Sequence, residues 1–265
     1  MINLHKDFKP KFYTDLIRVG KIGDGGYVVS KSDLENIDLI LSFGLDADWS
    51  FEKEMRNITR APIHIYDHSV SLLFFILLAF KSIIRFIQNP IKNYYRLSGI
   101  FKIISYINFF YLKNNTHYKQ MIYPSTLKKD FFSNKLTDFN SIMNQINFKN
   151  IFLKIDIEGF EYRILDQILK NQNKLKAIVI EFHNCDLFEN RILEFIKKLN
   201  LNLIHVHVNN FSPPNQKNFA TSIEVSFSSI SINKIDDHLI NRTYPIASLD
   251  YPNNLMEVDQ EINFI

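Results

Sequence analysis

Two short stretches hold the residues best suited to chemistry. Lys154-Ile155-Asp156-Ile157-Glu158-Gly159-Phe160-Glu161 closes one apolar run, and Ile180-Glu181-Phe182-His183 closes another. In extended chain, residues i and i+2 share a face, so Asp156 with Glu158, and Glu181 with His183, can each point one way. Two carboxylates and an imidazole can move a proton, orient a hydroxyl or hold a divalent ion. For Glu158 and Glu161 the alternative is charge that complements a helix N-terminus. For His183 it is an ordinary hydrogen-bonded histidine. A spaced ligand signature such as H-E-x-x-H is missing, and no metal is expected.

A third stretch, Ser42-Phe43-Gly44-Leu45-Asp46-Ala47-Asp48, reads as a strand turning into a helix. Glycine at 44 could let a ligand approach the backbone, and the helix start presents free N–H groups. Asp67 ends the next strand and could accept ribose hydroxyls. The alternatives are an ordinary strand–helix turn and a solvated strand-end acid or N-cap. Because G-x-G-x-x-G is missing, a nucleoside ligand fits better than a pyrophosphate cofactor.

These residues need a scaffold that brings strand ends together. Apolar runs at 39–43, 63–66, 151–155 and 177–180 alternate with amphipathic stretches, the pattern of βαβ units and a mostly parallel sheet. Runs 203–208 and 222–227 alternate at period two and predict a terminal antiparallel pair, joined through Asn209, Asn210 and the Pro213-Pro214 turn. Helices are expected after Asp48 as N-cap, from Phe160 to Leu169 and from Leu187 to Leu199. The third strand is expected near Lys119–Tyr123.

Of the 265 residues, 46% are hydrophobic, which supports a real core, and neither repeats nor linkers divide the chain. One domain over 1–265 is the reading. The single cysteine, Cys185, allows no intrachain disulfide and suits a reducing compartment. The first residues lack a signal-peptide layout, so a cytoplasmic protein is expected, with the inner face of the membrane as its alternative location. Asn-x-Thr triplets at Asn57, Asn114 and Asn241 then arise by chance.

A net charge of +3 conceals an uneven distribution. Between residues 69 and 129 lie Lys81, Arg85, Lys92, Arg96, Lys102, Lys113, Lys119, Lys128 and Lys129, without one Asp or Glu. This insertion is also apolar and aromatic. Its uncharged run, Ser71–Phe80, is about half of the roughly 20 residues that a membrane span needs. Three readings stand: a packed helical insertion with solvated lysines, membrane-surface contact through 69–113, or a lid over an acidic substrate. Nucleic acid is not an expected partner, because the remaining chain is acidic and no binding motif is present.

Taken together, Leu153–Glu161, the opening blocks Arg18–Tyr27 and Leu41–Glu52, and the later Ile180–His183 and His205–Asn210 resemble the FkbM family of S-adenosylmethionine-dependent methyltransferases. Tyr244-Pro245 and Leu249–Asn253 echo it more weakly. The resemblance covers about 16–67 and 135–255. It implies a class I methyltransferase fold, Rossmann-like, with a seven-stranded mostly parallel sheet and here a helical insertion after the second strand. It also implies S-adenosylmethionine as methyl donor and a saccharide or glycoconjugate hydroxyl, anionic or lipid-linked given the insertion, as acceptor. Carried over, the cofactor residues are Asp24, Gly25, Gly26, Tyr27, Phe43, Gly44, Leu45, Asp48, Phe51, Asp67, His68 and Asp156. The catalytic group is Asp156, Glu158, Glu181 and His183, with His183 the first choice as base. His207 and Asn209 would meet the acceptor. Two other readings are a divalent-metal hydrolase or sugar-modifying enzyme built on the same cluster, and a non-catalytic membrane-surface scaffold.

Overall fold

The computed structural model describes residues 1–11, 15–88, 98–113, 115–123, 135–230 and 242–265. Lys92, Arg96, Lys128, Lys129, Asn114 and Asn241 lie outside the described residues. In chain order the strands are β1 (Ile2–Leu4), β2 (Leu16–Val19), β3 (Tyr27–Ser30), β4 (Leu39–Phe43), β5 (Ile63–Tyr66), β6 (Thr116–Tyr118), β7 (Met121–Ile122), β8 (Leu136–Thr137), β9 (Ile151–Ile155), β10 (Leu175–His183), β11 (Asn202–Val208), β12 (Ser222–Ser228) and β13 (Ile262–Phe264). The α-helices are α1 (Ser50–Thr59), α2 (Leu72–Gln88), α3 (Ser98–Tyr106), α4 (Phe139–Gln145), α5 (Leu165–Asn171) and α6 (Glu189–Lys198).

Seven strands form the central sheet in the order β11-β12-β10-β9-β4-β5-β6. All neighbours are parallel except β12, which runs against both β10 and β11. This is the Rossmann-like class I methyltransferase fold, with a helical insertion, α2–α3, after the second strand of the sheet. β4 and β9 are buried along their whole length, as parallel strands covered on both faces must be, which is why they read as continuous apolar runs. One face packs β9 and β10 against α4, α5 and α6 through Phe139, Ile142, Ile168 and Ile192. The other packs Ile40, Phe152 and Val179 against Phe51, Met55 and Tyr27.

Register decides what the sheet presents. Phe43 pairs with Tyr66 and with Ile155, Ile155 with Ile180, Ile180 with Val225, and Val225 with Val206. One residue further, Gly44, Asp67, Asp156, Glu181, Glu224 and His207 therefore stand at one level across six strands.

Local expectations differ from the structure in three places. The third strand of the sheet is Thr116–Tyr118, while Met121–Ile122 leaves it and pairs with β8. The stretch after Phe160 is a 3-10 turn, Glu161–Arg163, before α5 begins at Leu165. The N-cap of α1 is Trp49 and not Asp48, whose side chain accepts from the Ser50 N–H at 2.9 Å.

Candidate functional site

Over the ends of β4, β5 and β9 lies a cavity of about 330 Å³. Leu45, Tyr66, Met121, Ile122, Ile157 and Phe160 supply its apolar wall. Among the described residues its acidic and basic lining consists of Asp46, Asp67, Asp156, Glu158 and His68, with neither Lys nor Arg. Volume and lining are those of a small-molecule site, apolar with a few convergent polar groups.

Gly44 stands in this wall at φ +83°, where a Cβ would come within 1.7 Å of the Asp156 carbonyl oxygen. Its glycine is therefore required by the close approach of the β9 backbone, so the room a missing side chain leaves is filled by protein. Asp67 closes the same turn. One carboxylate oxygen accepts the Leu45 and Asp46 N–H groups at 2.7 and 3.1 Å; the other accepts the Ser69 N–H and hydroxyl, both at 2.6 Å. Burial alone would raise the Asp67 pKa, but the bonds from Ser69, Leu45 and Asp46 outweigh it and hold the carboxyl below its usual range.

Behind the cavity runs a buried ionic network. The Lys154 ammonium donates to the Gly44 carbonyl at 3.0 Å and sits 3.5 Å from Glu52 and 3.9 Å from Asp156. Ser42 donates to Glu52 at 2.7 Å. Burial disfavours the ammonium, yet Glu52 and Asp156 more than compensate and keep its pKa above the ordinary value. The Tyr27 hydroxyl donates to Asp156 Oδ2 at 3.2 Å. Burial, and then the Asp156 charge, push the Tyr27 phenol well above its usual pKa, so it stays a donor.

On the far side of Asp156 the polar groups face one another. His183 Nδ1 meets Glu161 at 3.1 Å, and its Nε2 lies 3.4 Å from Glu158 and 3.6 Å from Glu181. Burial lowers the imidazole pKa, but the Glu161 hydrogen bond and the charges of Glu181, Glu161 and Asp156 raise it to about 9. The ring is thus charged at neutral pH, engaged at both nitrogens, and does not line the cavity. Glu181 accepts from Asn209 at 2.6 Å and from Ser222 at 3.1 Å. Burial, then Asp156 and Glu224, push Glu181 well above its usual pKa. His207 bridges Glu224 at 3.2 Å and Asp259 at 3.0 Å, and Asn253 donates to Glu224 at 2.7 Å.

The expected cofactor residues therefore divide. Gly44, Leu45, Asp67, His68 and Asp156 line the cavity. Phe43 and Phe51 are core: Phe43 packs on Tyr66 and Phe139, Phe51 on Tyr27 and Phe152. Asp48 pairs with Lys21 at 2.5 Å, and the Asp24 N–H bonds the Asn253 carbonyl at 3.3 Å. Gly26 lies under the Lys21 carbonyl, 2.1 Å from where a Cβ would stand, and Gly25 has φ +81° beside Asp48. His207 and Asn209 are buried with their partners. Among the described residues, Asp156, Glu158 and His183 also bring ligand atoms within 4.8 Å of one another, a spacing that a cation could bridge. Sequence reasoning missed Asp46, Glu52, Lys154 and Glu224. For Lys154 the signal was a charge inside an otherwise apolar strand.

No family model matches the sequence, and no curated protein matches it. Solved structures do resemble the fold. A fibrillarin pre-rRNA processing protein of Methanococcus jannaschii aligns at 9% identity over 74% of this chain and 68% of that one, with a TM-score of 0.37. A protein of Pyrococcus horikoshii, provisionally described as an RNA methyltransferase, aligns at 8% identity over 74% and 75%, with a TM-score of 0.39. One of Galdieria sulphuraria, provisionally described as a sarcosine dimethylglycine methyltransferase, aligns at 10% identity over 75% and 80%, also at 0.39. The fold assignment itself rests on the strand order of this chain.

Proposed function

We propose that the chain is an S-adenosylmethionine-dependent methyltransferase of FkbM type, acting on a hydroxyl of a saccharide or glycoconjugate precursor. The observation that carries this reading is the acidic lining of the cavity. A cationic sulfonium suits Asp46, Asp156 and Glu158, whereas the phosphates of a nucleotide cofactor or of a nucleic-acid acceptor would be repelled. The apolar wall at Met121 and Ile122 suits an adenine ring. Asp67, whose carboxylate lone pairs are taken up by four hydrogen bonds, would shape the turn that meets the ribose.

Bound there, S-adenosylmethionine supplies an electrophilic methyl group. Transfer to a hydroxyl is an in-line displacement, so the protein mainly aligns the partners. A weak nucleophile also benefits from a base that takes its proton in the transition state. We assign that role to Asp156, which borders the cavity and is steadied by the Tyr27 hydroxyl. His183, turned to three carboxylates, positions Glu158 and Glu181 in this reading. The part-buried Asp156 and the exposed Glu158 are groups to which sugar hydroxyls readily hydrogen-bond.

Calorimetric titration tests the reading. S-Adenosylmethionine and S-adenosylhomocysteine should both bind saturably, and Asp156→Asn should weaken the cationic ligand more than the neutral one. Folded protein that binds neither would sink the assignment. A second reading has its own observation: the 4.8 Å grouping of Asp156, Glu158 and His183 could hold a divalent cation for hydrolysis or sugar modification. Metal analysis and loss of activity with chelator would favour it.

A further inference from the structure

We propose that the outer face of the α2–α3 pair docks on an anionic lipid bilayer without crossing it. The inference concerns this surface alone and does not depend on the transferase reading. Along α2, Phe75, Ala79 and Ser82 face the protein at helical spacing. The opposite face should then be polar. Instead it carries Leu73, Leu77, Phe80, Ile84 and Ile87, which are 40–71% exposed. From α3, Phe101 and Ile104 add exposures of 70% and 59%. Soluble monomers rarely leave so continuous an apolar stripe uncovered.

Charge selects the occupant. Lys81 and Arg85 are exposed on α2 and, at four-residue spacing, flank the apolar stripe. Residues 69–129 contain no Asp or Glu. An apolar stripe edged by cations is the arrangement of a helix lying in a lipid interface, its stems in the acyl boundary and its charges at the headgroups. A second copy of the chain would set these cations against themselves across a two-fold contact. At 17 residues, with two cations within it, α2 does not span: among the described residues no helix is long and apolar enough to cross a membrane.

The pair is also rigidly tied to the site. Trp49 packs edge-on against Phe75, Tyr106 and Phe110, and donates to Ser105 at 3.2 Å. The Tyr106 hydroxyl meets His117 at 2.7 Å, whose other nitrogen meets the Asp67 carbonyl at 2.9 Å. Cavity residues border both ends of the insertion: Ser69 precedes α2, and Gln120 follows β6. A bilayer beneath α2 would therefore lie close to the cavity, where a lipid-carried acceptor could reach it.

Co-sedimentation with vesicles tests the proposal. The protein should bind vesicles of phosphatidylcholine mixed with phosphatidylglycerol and bind pure phosphatidylcholine far less. Added salt should weaken binding. Lys81→Gln with Arg85→Gln should lower it by about fivefold per charge. Leu77→Ser with Phe80→Ser and Ile84→Ser should lower it more than tenfold, with the unfolding midpoint preserved. Wild-type protein that ignores anionic vesicles would overturn the proposal. So would a wild-type dimer in solution that the serine variant converts to monomer, because a second copy would then be the occupant. Retained vesicle binding by both folded variants would overturn it too.

Discussion

On the β4–β5 side of Asp156, charged groups are tied to backbone, and a cavity opens between them. On the β10–β12 side they are tied to one another and close the edge. Asp67 spends its carboxylate on N–H groups of the Gly44 turn and on Ser69. Glu224, by contrast, is held between His207 and Asn253, with Asp259 on the far nitrogen of His207. A carboxylate satisfied by backbone stiffens a loop and leaves the space in front of it open to a ligand. A carboxylate satisfied by side chains fills that space. Asp156 stands on the boundary with Tyr27 on one oxygen, so the comparison singles it out as the group free to work.

The comparison can be broken at several points. The largest effect is expected at Lys154, whose loss leaves the buried Glu52 without its cation. Lys154→Met should cost about 3–5 kcal/mol in urea unfolding, and an unchanged midpoint would mean the network is not load-sharing. Next comes the closed side. His207 is raised from 6.5 to about 10 by its hydrogen bonds to Asp259 and Glu224, which outweigh burial. With the folded pKa above the unfolded one, its contribution is complete below about 6.5 and is lost as pH rises toward 10. Stability measured across that window should fall with pH in the wild type and fall less in His207→Gln.

On the boundary, Asp156→Asn should reduce methyl transfer by about 100-fold while the fold persists. Near-normal turnover would move the proton acceptor elsewhere. The smallest effect is expected on the open side. Asp67→Asn keeps the shape but weakens the bonds to the Leu45 and Asp46 N–H groups, costing about 1–2 kcal/mol. It should also loosen S-adenosylhomocysteine; an effect on stability alone would leave Asp67 with a purely structural part.

Much of the scaffold was legible because its signals are local. β4, β5, β9 and β10 are apolar runs, and β11 and β12 alternate at period two because they pair antiparallel. Asp156, Glu158, Glu181 and His183 stood out as charges leaving such runs, and the structure brings all four within one cluster. β6 was misplaced because an edge strand of three residues carries too little pattern, and the better-looking Met121–Ile122 pairs elsewhere. Phe43 and Phe51 entered as site residues through the family resemblance, yet both pack in the core, Phe43 on Tyr66 and Phe139 and Phe51 on Tyr27 and Phe152.

By itself the sequence determined strands β4, β5 and β9 to β12, helices α1 and α6, the basic insertion and the presence of acids at strand ends. Hydrophobic periodicity and charge are properties of short segments, and they survive without any partner. Only the tertiary structure decided that Asp156, Glu181, Glu224 and His207 share one level, that Lys154 neutralises Glu52 and Asp156, and that the apolar stripe of α2 faces outward. Each of these depends on register or packing between segments far apart in the chain. A one-residue shift of register would turn every side chain of a strand to the other face.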